Sequence, residues 1–355
     1  MNFRLARLRA EMQRRGLDAL LVSFLPNVRY LSGFSGSNAL CVVTRTGAVL
    51  VTDSRYARQS RSEVRRLQRV ITALPLPEAL NAFGVLKRLR TVGFEAEHVP
   101  YVQYRMLKKL FPRISFRGTT GLVEDIALIK DASEIDSVHK AARISDRVFG
   151  EIISLIRPGV RESEIAAEIS YLLRRHGGER DAFEPIVASG ERAILPHARA
   201  TAKRIRRGEL VVLDFGTTCN GYCSDLTRTV AVGRVSRAAR ETYALVREAH
   251  ADAIAAARAG MMARELDAVA RERFRRAGYG RYFVHSLGHG LGLSIHERPR
   301  VSPLSRERLQ AGSVITIEPG LYIPGVGGVR IEDDVVLTPG GCKVLTGASR
   351  ELMTL

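Results

Sequence analysis

Four acidic residues of this 355-residue chain stand where ordinary surface carboxylates do not. Asp214 ends the apolar run 210–213, and Glu318 ends the run 314–317. A continuous apolar strand is buried on both faces, so each acid lies at the edge of a core. An ionised carboxylate is costly there unless it is paired or binds a metal. Each is followed, after a glycine-rich turn, by another acid: Asp225 in Ser224-Asp225-Leu226-Thr227-Arg228 and Glu332 in Arg330-Ile331-Glu332-Asp333. Taken singly, any of them would fit a plain salt bridge. Four converging acids would repel one another unless multivalent cations neutralise them. His289, in Gly288-His289-Gly290, adds one imidazole, with flanking glycines that let backbone and metal approach. Oxygen-rich ligands with one imidazole suit manganese, cobalt, iron or, less well, zinc. Two such ions about 3.5–4 Å apart can share a hydroxide and act jointly as Lewis acid and nucleophile generator.

An internal repeat explains why these acids should converge. Gly159-Val160-Arg161-Glu162-Ser163-Glu164-Ile165 aligns with Gly260-Met261-Met262-Ala263-Arg264-Glu265-Leu266, an offset of 101 residues. Further on, Pro196-His197 meets Ile295-His296, and residues 208–216 meet 312–320, which sets Asp214 against Glu318. Each copy reads as helix, helix, strand, with a carboxylate at the strand's end. Two copies face to face predict a pseudo-twofold α/β sheet with helices outside and a cleft on the axis. His289 has no counterpart in the first copy, so it would break the symmetry between two metals.

Ahead of the repeat, residues 1–125 read as a separate α/β domain with a small sheet. Leu5, Leu8 and Met12 share a face of a first helix stopped by Gly16. Runs 19–25, 39–43, 48–52 and 91–94 are of strand length, and 54–67 reads as a helix. The boundary falls near 123–130. Asp131 or Ser133 then caps a long helix with Ile135, Val138, Ala142, Val148, Ile152 and Ile156 on one stripe, ended by Pro158-Gly159. The second domain is placed at 132–355.

Composition narrows the alternatives. The charge is +18, from 55 basic and 37 acidic residues, and 48 of the basic residues are arginine. They are dispersed, aromatics are 6% and tryptophan is absent, so no nucleic-acid partner is expected. The four cysteines are too scattered for a disulfide framework, and Cys219 and Cys223 lack the spacing of a zinc or redox pair. No apolar run approaches membrane-spanning length, and the N-terminus lacks a signal-like apolar region. A cytoplasmic protein with no membrane partner is expected. His98, His139, His176 and His250 read as surface histidines.

The motifs around Asp214, Asp225, His289, Glu318 and Glu332 resemble, in order and spacing, those of the pita-bread metallopeptidases, and among these the Xaa-Pro peptidases: prolidase and aminopeptidase P. Gly33-Phe34-Ser35-Gly36-Ser37 and Thr52-Asp53-Ser54-Arg55-Tyr56 resemble the N-terminal domain shared with creatinase. The resemblance implies a creatinase-like N-terminal α/β domain and a pseudo-twofold pita-bread catalytic domain holding two divalent metal ions, manganese first, with cobalt, iron or zinc as alternatives. It implies that Asp214 chelates one ion, His289 and Glu318 the other, and that Asp225 and Glu332 bridge both. His197 and His296 would contact substrate and its tetrahedral intermediate, Glu318 would also shuttle a proton, and Arg330 would support the bridging acids. His285 is a candidate either for the substrate side or for supporting the metal ligands, and Arg300 a clamp for the carboxylate of a dipeptide. The implied reaction is hydrolysis of the bond between an N-terminal residue and proline. Dipeptides are favoured over the longer peptides of aminopeptidase P, and the enzyme would be a homodimer. Ser189-Gly190-Glu191-Arg192 departs from the Ser-Gly-Pro-Asn usual in relatives, at a loop bordering the cleft. A non-catalytic pita-bread module binding nucleic acid or protein is the competing class, and the complete ligand set argues against it.

Overall fold

The computed structural model describes residues 2–355. The chain divides into two units, Met1–Ala127 and Leu128–Leu355.

The first unit is built on one six-stranded mixed sheet. Its strands are β1 (Ala19–Val22), β2 (Ala39–Thr44), β3 (Ala48–Asp53), β4 (Gln68–Thr72), β5 (Thr91–Glu95) and β6 (Ser115–Thr119), in the order β4-β3-β2-β1-β5-β6. Helix α1 (Asn2–Arg14) buries Leu5, Leu8 and Met12, the face its spacing predicts. The sheet is larger than the sequence suggests. The edge strands β4 and β6 expose residues on both faces, Gln68 and Arg69 in one and Arg117 and Gly118 in the other, and so lack an apolar run. Two further expectations change. The run 19–25 ends at Val22, and a helix, α2 (Leu25–Ser32), starts there with Pro26 in its first turn. The helix expected over 54–67 is a 3₁₀ turn, Ser54–Tyr56, followed by α3 (Ala57–Glu63). Helices α4 (Leu76–Ala82), α5 (Tyr101–Leu110) and α6 (Glu124–Ala127) complete this unit. Its two motifs knit to each other: Phe34 packs edge-on against Tyr56, and Asn38 donates to Asp53 at 2.6 Å.

In the second unit the repeat is visible in the element bounds. Helix α7 (Ala132–Ile152) starts at a capping box in which Asp131 accepts from the Glu134 amide and Glu134 from the Asp131 amide, worth about 1 kcal/mol. It stops in a 3₁₀ turn, Ile153–Leu155, short of Pro158. Helices α8 (Glu162–Arg175), α9 (Arg237–Ala256) and α10 (Ala263–Arg276) follow, and α8 and α10 start and end at matching positions of the two copies. Glu164 reaches back to the amide of Arg161, as its repeat partner Glu265 does to the amide of Met262. Both helices close on a left-handed glycine, Gly177 or Gly278.

The strands are β7 (Ile186–Ser189), β8 (Leu210–Phe215), β9 (Thr218–Cys219), β10 (Tyr222–Cys223), β11 (Leu226–Ala231), β12 (Gly288–Gly290), β13 (Glu297–Val301), β14 (Val314–Ile317), β15 (Gly320–Ile323), β16 (Gly327–Arg330), β17 (Asp333–Thr338) and β18 (Gly341–Val344). They form antiparallel sheets β11-β8-β7 and β13-β12-β14-β17-β18, with hairpins β9-β10 and β15-β16. One core packs α8 residues Ile165, Ile169, Leu172 and Leu173 against β8, and the other packs Leu266, Ala270 and Phe274 of α10 against β14. Each large aliphatic side chain fully withdrawn from water contributes roughly 1.5–3 kcal/mol. These cores fix the strands whose ends carry the acids.

Candidate metal centre

Asp214 lies in β8 and pairs in register with Thr227 of β11, so it faces the strand that starts just after Asp225. Glu318 follows the end of β14, and Glu332 falls between β16 and β17. His289 is the central residue of β12, which runs between β13 and β14. Its flanking glycines serve the neighbouring strands. A Cβ on Gly288 would stand 2.1 Å from the carbonyl oxygen of Thr316, and one on Gly290 would stand 2.2 Å from that of Arg298. Strand packing alone therefore requires both glycines.

These five residues and His197, His285, His296, Arg300 and Arg330 all line one cavity of about 730 Å³. Ligand atoms of Asp225, His289 and Glu332 lie within 4.8 Å of one another. His289 Nδ1 is 3.0 Å from the carbonyl of Gly290, which can only accept, so Nδ1 carries the proton and Nε2 presents a lone pair. That lone pair faces Asp225 Oδ2 at 3.6 Å and Glu318 Oε1 at 3.5 Å. Three electron-rich atoms thus converge on one point, an arrangement a cation satisfies.

Electrostatics point the same way. Burial, with Glu332, Asp214, Asp334 and Glu318 close by, drives the carboxyl of Asp225 well above the usual range. Burial with Glu318 and Asp214 does the same to Glu332. Glu318 is pushed up to about 8 by burial and by Asp214, against the pull of Arg330. Burial and nearby His296 lower His289 to about 4, so its imidazole is neutral, the form that ligates metals. Asp214 Oδ1 and Asp225 Oδ1 are buried without a hydrogen-bond partner. The donor set, four carboxylates and one neutral imidazole, fits divalent cations of manganese, cobalt or iron type.

Around the acids is a hydrogen-bond frame in which Arg330 is the expected member and Thr227, Tyr322 and Asp334 are not. Arg330 donates to Asp214, to Thr227 Oγ1 at 3.1 Å and to Tyr322 Oη at 2.8 Å. Thr227 Oγ1 in turn donates to Glu332 at 2.5 Å. Asp334 accepts from the Asp225 amide at 3.0 Å. His285 Nδ1 faces the carbonyl of Ser286 at 2.7 Å, so its Nε2 accepts from Tyr322 Oη at 2.9 Å. Burial and Arg330 lower His285 to about 3, which keeps that chain intact. His296 packs edge-on against His289, with ring centroids 4.4 Å apart, and His197 lies exposed on the loop after β7. Arg300 stands in register opposite His289, exposed at the cavity, with Nε 3.3 Å from Ser286 Oγ.

His250 corrects the surface reading. It is 1% exposed, with Nε2 3.0 Å from Asp333 Oδ2. Its spacing from Tyr243, Val246 and Ala253 on α9 was the available signal, since all four share the buried face.

Two antiparallel sheets, each packed against a repeat-related helix, with a carboxylate-rich cavity between their strand ends, have the architecture of a pita-bread metallopeptidase. Residues 136–339 match metallopeptidase family M24, and residues 4–129 match the creatinase/prolidase N-terminal domain. The chain belongs to family M24. It is 40% identical to an Xaa-Pro dipeptidase of Pyrococcus furiosus over 355 residues, covering 99% of this chain and all of that one. A solved Xaa-Pro dipeptidase from Bacillus anthracis is 39% identical with a TM-score of 0.95, covering 99% of each chain. A solved X-Pro aminopeptidase from Thermotoga maritima is 38% identical with a TM-score of 0.91, covering 97% of this chain and all of that one.

Proposed function

We propose that the protein is an Xaa-Pro dipeptidase, hydrolysing the bond between an N-terminal residue and a following proline. The observation that carries this reading is the convergence of Asp225, His289 and Glu332 beside Asp214 and Glu318 in a cavity edged by His197, His296 and Arg300. Two divalent ions, manganese first, would be held by Asp214 on one side and by His289 and Glu318 on the other, with Asp225 and Glu332 shared. When bound, such ions supply Lewis acidity and a hydroxide nucleophile at neutral pH.

The chain's own residues do the rest. His197 and His296 donate hydrogen bonds to the scissile carbonyl oxygen as it gains charge. Glu318 takes the proton that the attacking water gives up and delivers it to the proline nitrogen as the C–N bond breaks, so that departing proline leaves as a neutral amine. Arg330 holds Asp214 and, through Thr227, Glu332 in their places. The test is metal removal: chelator-treated protein should lose hydrolysis of an Xaa-Pro dipeptide and regain it with manganese or cobalt. Full activity at less than about one ion per chain would exclude a two-ion site.

Arg300 supplies the preference for dipeptides. A guanidinium forks onto a carboxylate with two hydrogen bonds and stays charged. In an Xaa-Pro dipeptide that carboxylate lies one residue from the scissile bond. Arg300→Ala should cost roughly 1.5–3 kcal/mol in kcat/KM for the dipeptide and spare an Xaa-Pro-Yaa tripeptide. The likeness to an X-Pro aminopeptidase favours a second reading, cleavage of longer peptides. Equal losses on both substrates, or a wild-type preference for the tripeptide, would decide for it.

We further propose a cytoplasmic homodimer, in which the N-terminal domain serves assembly and gating. Sedimentation at micromolar concentration should give twice the chain mass, and a monomer would refute the assembly.

A further inference from the structure

The two ends of the loop that carries His197 meet on one buried carboxylate. Glu162, the first residue of α8, is 0% exposed. Its Oε1 accepts from the amide of Ser189 at 2.9 Å and from that residue's hydroxyl at 2.8 Å, where β7 ends. Its Oε2 accepts from the hydroxyl of Thr201 at 2.9 Å and its amide at 3.2 Å, where the loop returns. Arg192 completes the set, giving Nε to Glu162 Oε2 at 3.0 Å. The other prong of its guanidinium, Nη2, donates to the carbonyl of Arg199 at 2.6 Å, two residues beyond His197. On the near side, the carbonyl of Pro196 accepts from Arg330 Nη1 at 3.1 Å. An exposed histidine on a surface loop is thereby flanked by two charged hydrogen bonds, one from each side.

We propose that Glu162 and Arg192 form a clamp that holds the His197 imidazole over the cavity, which makes Arg192 a positioning residue for the reaction. The proposal rests on the peptidase reading above. Arginine suits the task because its planar fork reaches two acceptors at a fixed separation, whereas lysine offers one point charge. Glu162 is satisfied only with the loop in this place, since all five of its donors come from the loop's ends and from Arg192. The side chain at position 192 therefore controls loop geometry rather than touching substrate.

The experiment measures kcat and KM on an Xaa-Pro dipeptide for metal-loaded wild type, Arg192→Ala and Arg192→Lys, each with and without His197→Ala. Amide hydrogen exchange is followed over residues 189–203. Arg192→Ala should lower kcat by roughly 10–100-fold with KM changed less than about twofold, the mark of lost positioning. Arg192→Lys should fall between it and wild type. In the His197→Ala background the Arg192→Ala step should shrink to less than about twofold, because its target is gone. Exchange over 195–200 should quicken while metal content stays constant. The same loss in both backgrounds, unchanged exchange, or His197→Ala without effect on kcat would overturn the clamp. So would metal loss or faster exchange throughout the catalytic unit, which would assign Arg192 to the fold. A wild type inert on every Xaa-Pro peptide would sink the peptidase reading, and the exchange measurement would still decide the clamp.

Discussion

Replacing Asp225 with asparagine is expected to abolish peptidase activity, lowering kcat on an Xaa-Pro dipeptide by at least about 10³-fold. Loss of a mere outer partner of a metal ligand brings roughly 10–100-fold, and Asp225 stands at the centre of the acids. The same substitution should not harm the metal-free fold. The backbone amide of Asp225, which donates to Asp334 at 3.0 Å, survives the change. The carboxylate it removes is buried against Glu332, Asp214 and Glu318, like charges that oppose its ionisation. Metal-free Asp225→Asn should therefore melt no lower than metal-free wild type at pH 7, while metal-loaded wild type melts well above both, since ions that bind only the native state stabilise it. Kinetics and melting curves, with and without chelator, separate the two effects. Retained activity would remove Asp225 from the ligand set, and a metal-free variant melting several degrees lower would make it a structural acid instead.

The residues legible in the sequence were those whose surroundings break a local rule. An acid at the end of a doubly buried strand, such as Asp214 or Glu318, contradicts its apolar neighbours, and the repeat turns two such contradictions into a pair. Thr227, Tyr322 and Asp334 break no rule. A threonine in a strand or a tyrosine in a hairpin is ordinary, and only the fold shows that both accept from Arg330 while Thr227 donates to Glu332 and Tyr322 to His285. Glu162 was inside the repeat pattern yet looked like a helix-start acid, because its donors lie 27 and 39 residues away. Lys130 was equally silent. It is buried at the head of the catalytic unit and pairs at 3.1 Å with Glu297, the residue after His296. In the first unit the missed elements, β4 and β6, are edge strands, whose mixed exposure erases the alternation that marks a half-buried strand. Long-range satisfaction of charge is what sequence periodicity does not encode.

That satisfaction is most concentrated at Arg228, the largest fully buried side chain among the described residues, and its loss should be the most destabilising single change in the catalytic unit. Its guanidinium donates to the carbonyls of Thr227 at 2.9 Å and Glu332 at 2.5 Å, to those of Ser349 at 2.9 Å and Ala348 at 2.7 Å, and to Asp333 Oδ1 at 2.8 Å. One side chain thus ties the strand after Asp225, the backbone of Glu332 and the C-terminal segment together. Arg228→Met fills similar volume but strands Asp333, which is 0% exposed, with only its contacts to Thr346, Arg350 and His250. Asp333 keeps its ion pair with Arg350, so the cost, about 3–5 kcal/mol, comes from weakening a buried charge network and from leaving buried carbonyls without their donor. For a unit of this size that corresponds to a fall of roughly 6–20 °C in melting temperature. Metal affinity should fall with it, since the Glu332 carbonyl loses its donor and only the backbone bond from its amide to Thr227 remains. Neutralising the partner discriminates the cause: Arg228→Met with Asp333→Asn should be more stable than Arg228→Met alone, a non-additivity that appears only when the two charges act as a pair. If the double variant is as unstable as the sum of the singles, the loss comes from the four carbonyls that Arg228 holds and not from the stranded acid.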